Sequence, residues 1–158
     1  MGEINALDLK GMTTAALIGV FDTMLSMEVE VLAAPRKMDG ERIVGSVSFA
    51  GKVMGSVNLL VSKIFARIIT AAMLDMDEDE IEEDEEINDV MGELSNMIGG
   101  DLKSRFCDAG LKCELSIPTT TSGADFKIDV KGWAKHEIFV FGYQQHTALV
   151  EVYLKQGT

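Results

Sequence analysis

Apolar residues recur at helical spacing in three parts of the chain. Between Met12 and Met27 the large apolar side chains that share one helix face are Leu17, Ile18, Phe21, Met24 and Leu25. The same spacing predicts a second helix over Lys63 to Leu74 and a longer third helix from about Ile87 to Asp108. Gly110 suits the left-handed position that follows a helix end. The pattern therefore predicts three helices.

Between these helices the pattern favours strands. A short strand from Glu28 to Ala34 ends at Pro35, and Arg42 to Lys63 predicts two strands joined through Ala50, Gly51 and Lys52. Four more strands are predicted over Lys112 to Ile117, Phe126 to Trp133, Glu137 to Tyr143 and Ala148 to Leu154. The segment from Thr119 to Ala124 is expected to be a loop.

A weak internal repeat organises these elements. A helix, a small residue, a charged strand and a proline occur as FDTMLSMEVEVLAAP and again as KSRFCDAGLKCELSIP, and a hairpin follows each. Laying Pro35 on Pro118 gives an offset of 118 − 35 = 83 residues. We expect a single α+β domain over residues 1–158, in which a pseudo-twofold helix-strand-hairpin repeat forms an antiparallel sheet with long helices packed on one face.

Composition and charge disfavour several classes of partner and location. The 158 residues carry a net charge of −12, which disfavours nucleic acids and anionic membranes as partners. No apolar run approaches the ~20 residues of a transmembrane helix, so no membrane insertion is expected. The start of the chain, MGEINALDLK, has no signal-peptide pattern. Cys107 and Cys113 are expected to be reduced, small buried thiols, so a cytoplasmic location is expected.

Metal ligation has little support in the sequence. His136 and His146 share no ligand spacing. The segment from Asp75 to Glu86, which contains the acidic run Asp77 to Glu86, superficially matches a calcium loop. Acidic residues stand at its first, third, fifth and twelfth positions, but Glu80 occupies the sixth, where the loop needs glycine. The favoured interpretation is a solvated linker that starts a helix. Nucleotide-binding glycine loops and a nucleophile elbow are also missing.

The third helix carries the candidate chemistry. Asp89, Glu93 and Asn96 fall within about 60° of one another around a helix, opposite an apolar arc formed by Val90, Met91, Leu94, Met97, Ile98 and Leu102. Gly92, Gly99 and Gly100 are expected to line the exposed side, at a cost of ~1 kcal/mol each relative to alanine, which suggests that something approaches this face closely. The alternative is that Glu93 and Asn96 are ordinary solvent-facing residues, since Glu85 and Asn88 repeat the same spacing.

The segment EINDVMGELSNMIGG resembles the CheX family of chemotaxis phosphatases, within the wider CheC/CheX/FliY group. That group is recognised by an acidic residue or serine, then E-x-x-N, then a downstream proline. The matching residues here are Asp89, Glu93, Asn96 and Pro118. Outside this helix the resemblance concerns length and element order.

The resemblance implies a phosphatase that acts on the phosphoaspartate of a CheY-like response-regulator receiver domain. Glu93 would dock on the receiver lysine, Asn96 would position the hydrolytic water, and Asp89 would support the pair. The chain would need no cofactor of its own, with Mg²⁺ held by the receiver, and would form a homodimer. The alternative is a non-catalytic receiver-binding or flagellar-switch-like interaction module on the same fold, or an adaptor with weak turnover.

Overall fold

A computed structural model describes residues 3–82, 84–123 and 134–158. Three helices are present in these ranges: α1 (Leu9–Leu25), α2 (Lys63–Leu74) and α3 (Asp84–Asp108). The strands are β1 (Glu30–Val31), β2 (Arg42–Gly51), β3 (Val53–Ser62), β4 (Cys113–Leu115), β5 (Thr119–Gly123), β6 (Lys135–Tyr143) and β7 (His146–Gln156). Within the described ranges, no helix combines the length and apolarity that crossing a membrane requires.

All described strands join one antiparallel sheet in the order β1-β6-β7-β3-β2-β4, and β5 pairs with β2 beyond β4 along the same edge. The central pair is β3 and β7, with Val57 opposite Val152. At one end of the sheet, β1 from the first half of the chain lies beside the β6-β7 hairpin of the second half. At the other end, β4 from the second half lies beside the β2-β3 hairpin of the first half. Helices α1 and α3 end at Leu25 and Asp108, which are 108 − 25 = 83 residues apart. The predicted pseudo-twofold α+β architecture is confirmed.

The core lies between the helices and one face of the sheet. The register places alternate residues of the long strands on this face, and they are buried: Ile43, Val47, Phe49, Val57, Leu59, Val61, Val150, Val152 and Leu154. Buried helix residues complete it, among them Leu17, Phe21, Phe65, Ile69, Leu94, Ile98 and Leu102. The rings of Phe49 and Phe106 meet edge to face with centroids 5.1 Å apart, which ties the C-terminal part of α3 to β2.

Local side-chain chemistry sets the helix ends. Asp8 caps α1 by accepting a hydrogen bond from the Gly11 amide (3.1 Å), and Ser62 caps α2 by accepting from the Phe65 amide (3.0 Å). Helix α3 is followed by Gly110 at φ 86°, as predicted, and the Leu111 amide donates to the Phe106 carbonyl at 2.8 Å. This closure turns the chain back towards β4.

Several predicted boundaries differ from the observed ones. Helix α1 begins at Leu9 and α3 begins at Asp84, because Asp8 supplies a cap and acidic residues suit the positive end of α3. The prediction of a loop over residues 119–124 was wrong for its described part, since Thr119–Gly123 forms β5. Its threonines favour extended backbone although they show no apolar alternation. The strand predicted over residues 126–133 lies outside the described residues.

Candidate functional site

Helix α3 presents the predicted polar arc to solvent. Asp89 and Glu93 are exposed and Asn96 is half-exposed. Five of the six residues of the opposite arc are buried and Met97 is half-exposed; the buried ones are Val90, Met91, Leu94, Ile98 and Leu102. The carboxylate of Glu93 and the amide of Asn96 are therefore neighbours one helical turn apart and accessible from outside. The catalytic and docking roles of these residues stay predictions.

Two glycines set the rotation of α3 on the sheet. A Cβ placed on Gly45 of β2 would lie 2.1 Å from Ser95 Oγ and 2.9 Å from the Met91 carbonyl oxygen. A Cβ placed on Gly99 of α3 would lie 2.4 Å from a methyl carbon of Val47. Helix and strand thus approach each other more closely than side chains at these positions would allow. This close contact between α3 and β2 fixes the side of the helix that packs on the sheet, and the side that carries Glu93 faces outwards.

The expectation that all three helix glycines line the exposed side was wrong. Gly92 and Gly99 are buried, because they lie on the flank that meets the sheet and the chain after β4. Gly100 is half-exposed, and no described atom lies within 4 Å of a Cβ built on it. Only Gly100 therefore leaves open space beside the polar arc. Linear sequence could not separate the three, because the close approach is made by residues of another element.

The loop before β5 borders the site. A Cβ at Gly92 would meet Thr120 at 3.7 Å and Pro118 at 3.9 Å, so this loop lies beside the turn of α3 that holds Glu93. Ile117, which precedes the proline, is 85% exposed. Sequence reasoning missed the role of Gly45 in positioning α3, since this glycine does not interrupt the strand pattern around it.

The polar arc is not engaged by the rest of the described chain. Within residues 3–82, 84–123 and 134–158, the side chains of Asp89, Glu93 and Asn96 make no hydrogen bond or ion pair. Two cations on or beside α3 pair with other carboxylates: Arg105 with Asp101 at 2.7 Å, and Lys63 with Asp84 at 2.9 Å. No side chain in the described part of the chain therefore occupies the polar groups of the arc.

The described part of the acidic run forms a short turn and then the start of α3. Residues Glu78–Glu80 form a single 3₁₀ turn, in which the Glu80 carboxylate accepts a hydrogen bond from the Asp77 amide at 3.1 Å. Asp84, Glu85 and Glu86 then make up the first turn of α3. Among the described residues no group of three or more His, Cys, Asp or Glu side chains is arranged to hold a metal ion. The run acts as a helix start, where carboxylates are favoured.

Comparison with known families gives one match. The sequence model of the family described as Chemotaxis phosphatase CheX matches residues 43–142, which is most of the chain. A search of curated protein sequences returned no match.

Solved structures share the fold along nearly the whole chain. The chemotaxis protein CheX from Vibrio vulnificus has a TM-score of 0.80 at 24% identity, covering 94% of this chain and 97% of its own. CheX from Desulfovibrio desulfuricans has a TM-score of 0.80 at 21% identity, covering 94% and 100%. A complex of CheX with CheY, BeF₃ and Mg²⁺ from Borrelia burgdorferi matches with a TM-score of 0.74 at 20% identity, covering 94% and 99%.

Proposed function

This chain belongs to the CheX family of chemotaxis phosphatases, and from that premise we propose that it hydrolyses the phosphoaspartate of a CheY-like receiver domain. Glu93 docks on the active-site lysine of the receiver, and Asn96 positions the water that attacks phosphorus. The observation that carries this proposal is the Glu93–Asn96 pair on α3, which is accessible and has no hydrogen-bond or ion-pair partner among the described residues. A rigid helix is a suitable carrier, because it holds the two groups at a fixed separation.

The chemistry suits a carboxamide. Phosphoryl transfer involves little covalent chemistry for the protein to perform, so the rate depends on positioning and charge stabilisation. An amide can accept one hydrogen bond from the water and donate another to a neighbouring oxygen, and it does not titrate near neutral pH. Asn96 can therefore orient the water without removing its proton.

Charge supports the docking role of Glu93. A carboxylate attracts the receiver lysine, and the exposed Asp89 one turn earlier adds negative potential at the same place. The acidic first turn of α3 extends this field along the helix. Attraction of the receiver lysine follows, with Asp89 in a supporting role.

The divalent cation in this proposal belongs to the partner. In the Borrelia complex BeF₃, which stands in for a phosphoryl group, and Mg²⁺ are present together with CheY. We propose the same division here: the receiver holds Mg²⁺ and the phosphoaspartate, and this chain contributes Glu93 and Asn96 without a cofactor of its own.

The test compares the decay of a phosphorylated receiver with wild-type chain and with Asn96→Ala. We expect wild type to accelerate decay and Asn96→Ala to lose roughly 100-fold of the acceleration, because the water is no longer held. Binding to a BeF₃-activated receiver should persist in the variant. The matched control is Asn88→Ala, which ends the other Glu-x-x-Asn spacing on the same helix and should leave the rate unchanged. Binding by wild type without faster decay would reject the phosphatase and leave a non-catalytic receiver-binding module.

A further inference from the structure

Ile117 is the most exposed large apolar side chain in the described part of the chain. Its exposed fraction is 85%, and the next highest, that of Ile64, is 58%. Single apolar side chains are common on protein surfaces, so exposure alone assigns no role to this residue. Its position relative to the Glu93–Asn96 pair does assign one.

The segment after β4 runs along α3 in the direction opposite to the helix. A Cβ on Gly99 would lie 3.3 Å from a methyl carbon of Leu115, and a Cβ on Gly92 would lie 3.9 Å from Pro118. As the chain advances from Leu115 to Pro118, its contacts on α3 therefore move back by about two helical turns. Ile117 directly precedes Pro118, so it lies alongside the part of the helix between these two glycines.

This part of α3 carries the proposed docking and water-positioning groups. Asn96 comes four residues after Gly92, so the two positions are only ~40° apart around the helix and one turn apart along it. The loop that touches Gly92 therefore borders Asn96. Ile117 is thus presented to solvent beside the polar pair.

We propose that Ile117 is the apolar docking contact of this site and enters a small apolar recess of the receiver domain beside the receiver's active-site lysine. This inference rests on the proposed function and adds a residue that fixes how the receiver seats on α3. Glu93 and Asn96 supply a charge and an amide, which orient a partner but bury little apolar surface. An isoleucine that leaves water at the edge of the same site supplies that burial, which is the main favourable term in most protein association.

The loop holds Ile117 in place before any partner arrives. The Ser116 amide donates to the Ser48 carbonyl at 2.9 Å, and the Ser48 amide donates to Ser116 Oγ at 2.9 Å. On the other side, Pro118 restricts the residue before it to extended backbone, and the chain then enters β5, which pairs with β2. Little backbone freedom is left for binding to remove, so burial of the side chain contributes to affinity at a low entropic cost.

The experiment measures the Kd of the full chain for a BeF₃-activated receiver domain. Ile117→Ala should raise Kd about 10-fold because it removes most of the apolar side chain, and Ile117→Leu should stay within about threefold of wild type because it keeps the apolar volume. The increase for Ile117→Ala should be the same at low salt and near 1 M salt, since ions screen charges and not apolar burial. At saturating concentrations its dephosphorylation rate should equal that of wild type, unlike the rate of Asn96→Ala.

Ile138→Ala is the matched control. Ile138 is 52% exposed on β6, and two other strands separate β6 from β2 in the sheet. Its truncation should leave Kd unchanged. The free energy of unfolding of Ile117→Ala should match that of wild type, because the side chain is so exposed in the free chain.

The outcomes separate this contact from the proposed function. A Kd of Ile117→Ala equal to that of wild type, or an increase that disappears with salt, would overturn the docking contact and leave the proposed function standing. A wild-type chain that does not bind the activated receiver would overturn both. Binding without dephosphorylation would reject the phosphatase alone, since the comparison of Kd values needs no turnover.

Discussion

A carboxylate and a carboxamide one helical turn apart respond differently to salt. In the proposed complex Glu93 contributes a charge that attracts the receiver lysine, whereas Asn96 contributes only hydrogen bonds. Screening by ions weakens the first and leaves the second nearly untouched. Both side chains are free of partners among the described residues, so substituting them disturbs little else in the fold.

Glu93→Gln therefore separates docking from chemistry, because it removes the charge and keeps the size. At low salt we expect its Kd for an activated receiver to rise about fivefold, equivalent to ~1 kcal/mol. The difference from wild type should shrink as ionic strength rises towards about 1 M, where the Debye length is ~3 Å. Fluorescence titration at several salt concentrations measures it, with Asn88→Ala as the control. A Kd ratio that stays constant with salt would contradict the docking role.

His146 links stability to pH at the residue scale. Its ring stacks on the buried Phe65 ring with centroids 4.9 Å apart, and burial lowers the pKa of His146 from 6.5, with Glu78 acting in the opposite direction. Because the pKa of His146 is lower in the folded chain, the unfolded chain takes up the proton first as the pH falls. The free energy of unfolding is therefore highest above pH 6.5 and decreases as the pH falls from 6.5 through the pKa of the folded chain. The urea midpoint should thus drop more in wild type than in His146→Gln between about pH 7 and pH 5. Equal drops would show that another group is responsible.

At the scale of elements, α3 was predictable as a helix and its fit on the sheet was not. Segregated polar and apolar arcs predict both the helix and its exposed face. The rotation, however, depends on Gly45 and Gly99, which belong to different elements and meet only after folding. Strand β5 was missed for a related reason, because its threonine-rich segment becomes a strand only by pairing with β2. Patterns within one element carry no information on such cross-layer contacts.

The adjacent glycines of α3 give a direct test of this fit. A methyl group at position 99 would collide with Val47, which is buried and stiff, so Gly99→Ala should lower the free energy of unfolding by about 1 to 2 kcal/mol despite its better helix propensity. A methyl group at position 100 meets open space among the described residues, so Gly100→Ala should raise it by about 0.5 to 1 kcal/mol. Urea unfolding measures both, and Gly19→Ala in α1, equally open, is the matched control. Changes of the same sign in the free energy of unfolding at positions 99 and 100 would refute the close contact between α3 and β2.

At the scale of the whole molecule, the repeat has one candidate site and not two. With the 83-residue offset, Glu93 corresponds to Lys10 and Asn96 to Thr13. Lysine would repel the receiver lysine, and Thr13 is fully buried, so it cannot enter a partner. Asn96→Ala should consequently abolish nearly all acceleration at saturating enzyme. If about half of the wild-type rate remained, the first half would hold a second site.

Self-association is the second prediction at this scale. Resemblance to CheX-type chains with one site implies a homodimer, and the described sheet ends in the short strand β1 on one side and in β4 and β5 on the other. Unpaired strand edges favour pairing with another chain. Sedimentation at micromolar concentration should give twice the 17.2 kDa mass of one chain. A species of 17.2 kDa alone across that range would rule the dimer out.

The exchange of outer strands between the two halves has a consequence for folding. Because β1 completes the second hairpin and β5 completes the first, each half finishes its sheet with a strand of the other. A fragment ending after α2 would lack the partner of β1 and the neighbour of β3, and would expose the core face of its hairpin. The halves are therefore interlocked: neither is a folding unit, and the chain should unfold in one cooperative transition.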